Sequence, residues 1–150
     1  MALLALTALS GCADPFSPSE ALALAEAEAR WQAARPSAYS YELRIGCFCS
    51  NALPVFTTLE IRADTVAAAT PIDPPAYLPT VPLRERLTVP QLFARLHEIA
   101  NRANAGSWVE DVSASYDPHY GYPIRISVRC SGNITDCGEL TEARNLQPLP

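Results

Sequence analysis

The chain has 150 residues, of which 49% are hydrophobic, and this is enough for one domain with its own core. Eleven cationic residues stand against 16 acidic ones, which gives a formal net charge of −5. An acidic chain without clustered cations argues against nucleic-acid binding and against a polybasic membrane patch.

The N-terminal segment is typical of a lipoprotein signal peptide. The uncharged apolar run from Ala2 to Leu9 is too short to span a bilayer but has the length of a signal-peptide core. It closes in Leu9-Ser10-Gly11-Cys12, which resembles the lipobox of bacterial lipoprotein precursors. The resemblance implies lipidation of Cys12. The alternative is a chance match in the leader of an ordinary secreted protein.

These features predict three segments, which are a signal peptide over 1–11, a lipidated tether over 12–17 and a single domain over 18–150. Two acyl chains attach a protein to a membrane stably. A tether of five residues beyond Cys12 spans at most ~18 Å, so the domain should lie on the membrane surface. The expected location is the bacterial cell envelope, on its periplasmic or extracellular face. By the same resemblance, Ala13 favours the outer membrane in a Gram-negative bacterium.

The first predicted element of the domain is a helix over 18–34. Ser17-Pro18-Ser19-Glu20 has the pattern of a capping box with proline at the first helical position. Apolar residues then follow at helical spacing, and Pro36 prevents continuation. This stripe consists of Leu24, Ala27, Trp31 and Ala34.

Three strands are predicted next. Alternation of apolar and polar residues is clear over 39–49 and recurs over 55–62, followed by a turn at Ala63-Asp64 and a short strand over 65–69. The proline-rich segment 71–82 is incompatible with a helix or a central strand. It is either a stiff connector or a proline-rich docking motif.

A second capping box, Thr88-Val89-Pro90-Gln91, predicts a helix that ends before Gly106 and packs on the sheet. Its apolar face consists of Val89, Leu92, Phe93, Leu96, Ile99, Ala100 and Ala103. Three more strands follow, over 108–116, 124–130 and 139–146, with a turn at 117–121.

The predicted fold class is α+β, with element order α-β-β-β-α-β-β-β. An antiparallel sheet of about five to six strands carries both helices on one face, as a two-layer sandwich.

Several motifs in this order resemble a family of small bacterial envelope lipoproteins classed as a domain of unknown function, the DUF6174-like proteins. The resemblance extends from Trp31 to about Arg129. It implies a cellular location and a fold but no activity. Cys130 and Cys137 form an additional pair that the family pattern lacks. The motifs are the lipobox, Trp31, Tyr39-Ser40-Tyr41, Cys47-Phe48-Cys49, Thr88-Val89 with Leu92-Phe93, Tyr116-Asp117-Pro118 and Gly121-Tyr122-Pro123.

The four cysteines after Cys12 suggest two disulfides, since an even number outside the cytoplasm favours pairing. Cys130 and Cys137 flank a polar turn, and a disulfide between them would link the two strands of a hairpin. Cys47 and Cys49 lie on one strand face, where the Cα atoms are about 6.7 Å apart, so a bond between them requires irregular backbone. Such a strained pair also permits a redox hypothesis, and cross-pairing with Cys130 or Cys137 is a further alternative.

Other candidate chemistry is sparse. His97 lacks the second histidine of the zinc-protease spacing, and neither a metal site nor a cofactor is predicted. Around the turn at 117–121, an exposed aromatic binding patch is one interpretation and core packing with a shaped turn is the other. The patch would consist of Tyr116, His119, Tyr120 and Tyr122, with Trp108 nearby.

The sequence therefore predicts a non-enzymatic, lipid-anchored envelope protein with a structural or interaction role at the membrane surface. Its expected partners are the membrane, through Cys12, and an envelope protein of unspecified identity. The alternatives are a thiol-disulfide redox protein that uses Cys47 and Cys49, and a lipoprotein that binds a small ligand.

Overall fold

A computed structural model describes residues 17–47, 52–73, 86–104, 109–130, 132 and 138–150. These residues form two helices and six strands in the predicted order. The elements are α1 (Pro18–Ala34), β1 (Ala38–Gly46), β2 (Leu53–Arg62), β3 (Thr65–Pro71), α2 (Val89–Asn104), β4 (Val109–Tyr116), β5 (Pro123–Cys130) and β6 (Glu139–Pro148).

The six strands form one sheet in the order β3-β2-β1-β6-β5-β4, and every neighbouring pair is antiparallel. This confirms the predicted α+β class. β6 lies between β1 and β5, so it joins the hairpins of the N-terminal half to the β4–β5 hairpin. The two-layer sandwich with both helices on one face stays a prediction.

The core lies on one face of the sheet. Along β1 the residues Tyr39, Tyr41, Leu43 and Ile45 are almost completely buried, while the residues between them are partly exposed. This is the alternation that the sequence predicted for this strand, and burial of such large side chains is the main stabilising term.

α1 begins at the predicted capping box. The Ser17 hydroxyl accepts a hydrogen bond from the Glu20 amide (3.3 Å), and the Glu20 carboxylate accepts one from the Ser17 amide (2.8 Å). Leu24, Ala27 and Trp31 are buried as predicted. Ala34 is exposed, because it is the last helical residue and the chain turns away from the helix axis directly after it.

Two tyrosines of β1 hold the start of α2. The Tyr39 hydroxyl accepts a hydrogen bond from the Val89 amide (3.2 Å), and the Tyr41 hydroxyl donates one to the Leu87 carbonyl. Trp31 of α1 packs edge-on against the Tyr39 ring, with 5.4 Å between the ring centroids. β1 therefore positions both helices. It holds α1 through aromatic packing and the start of α2 through hydrogen bonds to the backbone.

α2 begins with half of the predicted capping box in place, since the Gln91 side chain accepts from the Thr88 amide at 2.7 Å. Its first two turns carry the buried residues Val89, Leu92, Phe93 and Leu96. Ile99 and Ala100 are partly buried, and the side chain of Ala103 lies outside the described residues. Arg95 forms an ion pair with Glu139 of β6.

The turn between β4 and β5 is built on Asp117 and Gly121. The Asp117 carboxylate accepts hydrogen bonds from the amides of His119 (2.9 Å) and Tyr120 (2.6 Å). Gly121 has φ +83°, and a Cβ there would overlap the Ala27 carbonyl oxygen and lie 2.9 Å from Cβ of Arg30. Glycine is required here because the turn lies directly against α1.

In the described part of the chain neither helix is both long and apolar enough to cross a bilayer.

Two glycines with positive φ among the described residues, Gly121 and Gly132, make a matched pair for a test of this contact. Gly121→Ala should destabilise the protein by about 3 kcal/mol, because left-handed strain adds to a backbone overlap. Gly132 has φ +73° and open space around it, so Gly132→Ala should cost only about 1 kcal/mol. Urea unfolding measures both values. Equal losses in the two variants would show that the contact with α1 contributes nothing.

The pH dependence of stability tests the burial of the Tyr39 hydroxyl. Burial raises the pKa of Tyr39 to about 12 from 10.0. The folded state therefore favours the neutral hydroxyl, and this contribution is complete below pH 10 and is lost as the pH rises from 10 to 12. Tyr39→Phe also leaves the buried Val89 amide without its acceptor, so it should cost about 1–2 kcal/mol at pH 7.

The same substitution should flatten the loss of stability between pH 10 and 11.5, measured by urea unfolding at each pH. Some pH dependence will persist, because burial also raises the pKa of Tyr41. An unchanged alkaline profile in Tyr39→Phe would contradict the burial of the Tyr39 hydroxyl.

Candidate functional site

The face of the sheet opposite the core carries a regular array of charged residues. Arg44 of β1 and Arg125 of β5 are both paired in register with Glu142 of β6, and Glu42 of β1 is paired with Arg144 of β6. These residues alternate along their strands with buried ones. They therefore project away from the core, and we call this side of the sheet the open face.

Ion pairs connect the array across three strands. Arg44 donates to one Glu142 carboxylate oxygen through Nε (2.9 Å) and Nη2, and Arg125 Nη1 donates to the other oxygen (3.1 Å). Arg144 Nε donates to Glu42 (2.6 Å). Cross-strand pairs of opposite charge stabilise a sheet modestly, so this pattern also has a purely structural interpretation.

Phe56 of β2 adds an aromatic surface to the array. The guanidinium carbon of Arg144 lies 3.7 Å from its ring centroid and that of Arg44 lies 4.9 Å away. Both distances are within the range of a cation–π interaction. Phe56 thus holds two arginine side chains in place while their remaining N–H groups stay available.

An open basin of about 560 Å³ lies at this position. Its volume falls within the range of about 300–1,000 Å³ that is usual for small-molecule sites. The lining combines three arginines and one carboxylate with aromatic and apolar surface, and it consists of Arg44, Phe56, Ser115, Tyr122, Ile124, Arg125, Glu142, Ala143 and Arg144. We call this group the open-face basin.

Glu42 lies beside the open-face basin, and the pKa of its carboxyl group is lowered from the ordinary value of 4.5. Burial alone would raise that pKa, but hydrogen bonds from Asn145 (3.0 Å) and Arg144 outweigh it. Glu42 is therefore ionised at neutral pH and fixes Arg144 in position. Arg129 lies on the same face of β5 but outside the basin, where it pairs with Asp111 at 2.8 Å.

The predicted aromatic patch is only partly present. Tyr122 is 4% exposed and belongs to the core cluster, so the prediction of an exposed Tyr122 is corrected, although this residue also lines the open-face basin. Tyr116 is partly buried and stacks on Phe93, with 6.5 Å between the ring centroids. His119 is exposed and meets Tyr120 edge-on. Trp108 lies outside the described residues.

Two of the four cysteines predicted to form disulfides are described. Cys47 follows β1 and Cys130 ends β5, at the same end of the sheet, and both are disulfide-bonded. Cys49 and Cys137 lie outside the described residues, so the pairings Cys47–Cys49 and Cys130–Cys137 stay predictions. Cys47 packs against the core, which favours a structural role over a redox one.

The other predicted features are placed as follows. His97 Nε2 lies 2.6 Å from the Glu28 carboxylate and links the two helices. Among the described residues no three His, Cys, Asp or Glu side chains are grouped as metal ligands. The lipobox with Cys12 and most of the proline-rich segment lie outside the described residues, so lipidation and either role of that segment stay predictions.

Comparison with known proteins identifies the family. The family of unknown function DUF6174 matches residues 23–148, so this chain belongs to that family. This confirms the family drawn from the motifs, while its bacterial and lipoprotein aspects stay predictions. No curated protein and no solved structure matches the sequence.

The basin arginines were not found by sequence analysis. They occupy the polar positions of strands in which apolar and polar residues alternate. Charged residues at such positions usually only face the solvent. The missing signal is the order of the strands, because Arg44, Arg125 and Arg144 meet only when β6 lies between β1 and β5.

A structural and a binding role for the arginines predict different stabilities. In the double variant Arg125→Ala/Arg144→Ala, Glu142 keeps Arg44 and Glu42 keeps Asn145 as partners. Half-exposed ion pairs contribute about 0.2–1 kcal/mol each, so the variant should remain within about 1.5 kcal/mol of the parent. Leu43→Ala, in the core, should lose about 3 kcal/mol. If urea unfolding gives comparable losses, the arginines are structural.

Proposed function

We propose that this chain is a lipid-anchored protein of the bacterial cell envelope that acts by binding, and that it binds a small anionic ligand in the open-face basin. The observation that carries the proposal is the convergence of three arginines on one basin of the open face, two of them over the Phe56 ring. The chain as a whole has a net charge of −5, so this concentration of cations is local and opposes the general trend.

The basin favours a small ligand over the alternative of a purely structural role. In the described part of the chain, Arg144 donates only through Nε and Arg125 only through Nη1. Further N–H groups on both side chains therefore remain available to a ligand. Arginine forks recognise carboxylate and phosphate groups with two parallel hydrogen bonds, which suits an anionic ligand.

The proposal of a lipid anchor rests on the lipobox Leu9-Ser10-Gly11-Cys12. A domain attached through Cys12 stays near the membrane, where its ligand would be an envelope component or a solute in the adjoining compartment. The redox alternative for Cys47 and Cys49 has no observation that favours it over a structural disulfide.

Metabolic labelling tests the anchor. Cells that express the full chain are grown with an alkyne analogue of palmitate, and the protein should acquire the label and sediment with membranes. Cys12→Ala should lose both properties, because the sulfur that carries the diacylglyceryl group is absent. Ser10→Ala, which keeps a small residue before Cys12, is the matched control and should be labelled normally. Label retained in Cys12→Ala would contradict lipidation at this residue.

Binding is tested separately, because the basin can work with or without the anchor. Arginine Nε–Hε resonances of the full chain in nonionic detergent report directly on the three guanidinium groups. Any small dianion that moves the resonances of Arg44, Arg125 and Arg144 at constant ionic strength supports the binding role. Resonances that respond to neither succinate nor glycerol 3-phosphate would contradict it.

A further inference from the structure

The open-face basin keeps an excess of positive charge. Glu142 is shared between Arg44 and Arg125, and Glu42 at the rim pairs with Arg144. These three guanidinium groups and two carboxylates together have a net charge of +1. The basin therefore keeps a positive charge after its ion pairs are counted, and a bound anion would neutralise it.

The available donors come from three adjacent strands. Neighbouring strands are about 4.8 Å apart, so Arg44 and Arg125 flank β6 at a Cα separation of about 10 Å. Arg144 lies two residues from Glu142 along β6, about 6.7 Å away on the same face. The three side chains therefore start from three separate points of the sheet and all line the basin.

We infer that the open-face basin binds the phosphate group of a phosphomonoester. A phosphomonoester carries between −1.5 and −2 charges at neutral pH and offers three terminal oxygens, as in phosphorylated side chains. One such group can accept from all three guanidinium groups at once. A single carboxylate has one charge and two oxygens in a plane, and one arginine fork already satisfies it.

Binding requires no rearrangement of the existing ion pairs. Nη1 of Arg44, Nη2 of Arg125 and both Nη groups of Arg144 donate to no other residue in the part of the chain that the structure describes. Phe56 and Ile124 supply apolar surface for the organic part of the ligand. This inference rests on the proposed binding role and does not depend on lipidation.

Two sources can supply such a group at a membrane, a phosphorylated solute and the headgroup of a phosphomonoester lipid. Glycerol 3-phosphate represents the first source, and phosphatidic acid in phosphatidylcholine vesicles represents the second. Succinate is the carboxylate comparison, because it also carries two charges. The full chain in nonionic detergent is titrated with each soluble probe and followed through its arginine Nε–Hε resonances. Vesicle binding is measured without detergent by co-sedimentation of the Cys12→Ala variant, which carries no acyl chains, with and without phosphatidic acid in the vesicles.

We expect at least one phosphate probe to bind at least ten times more tightly than succinate. Arg125→Ala and Arg144→Ala should each weaken that binding about tenfold or more. Arg129→Ala removes a cation of the same strand face outside the basin and should change it less than twofold. Arg144→Lys keeps the charge but loses the fork, so it should behave like Arg144→Ala rather than like the parent.

The outcomes separate the two proposals. Binding of glycerol 3-phosphate identifies a free phosphate ligand and binding to phosphatidic acid identifies a headgroup, and both outcomes support the inference. Succinate binding as tight as that of the phosphate probes would overturn the phosphate inference but leave the proposed binding role intact. If none of the probes binds, both proposals fail. Full affinity in Arg144→Lys would overturn recognition by the arginine fork.

Discussion

The arrangement of this domain depends on the hydroxyl groups of Tyr39 and Tyr41. Each aromatic ring fills the core beneath the helices, while its polar tip makes a hydrogen bond to the backbone around the start of α2. Trp31 packs on the same ring that holds Val89, so the two helices are positioned by one strand. A buried tyrosine is useful for this purpose because it combines a large apolar area with one directional hydrogen bond.

This arrangement gives a physical meaning to several family motifs. Trp31, Tyr39-Ser40-Tyr41 and Thr88-Val89 meet at a single junction between β1 and the helices, although they are far apart in the chain. The Asp117 turn with Gly121 forms the second junction, against α1. These motif residues therefore position elements of the fold. The basin arginines belong to none of these motifs.

The local elements were predictable because their signals are short in range. The capping boxes at Ser17 and Thr88 and the alternation along β1 each specify one element, and the structure bears out their order. The basin was not predictable, because it depends on register between strands separated by about a hundred residues. The burial of Tyr122 was missed for a related reason. Its environment is set by the turn against α1 rather than by its neighbours in the chain.

The central position of β6 also has a consequence for biosynthesis. β1 to β3 and β4 to β5 are two separate hairpin groups, and only β6 joins them into one sheet. A ribosome makes β6 after all five other strands, so the complete hydrogen-bond ladder cannot form until synthesis has passed the final strand. Pairing of β1 with β6 also closes a very long loop, which slows folding. The full six-stranded sheet of such a chain can therefore form only after the last strand has been made, whereas the hairpins β2–β3 and β4–β5 can pair earlier.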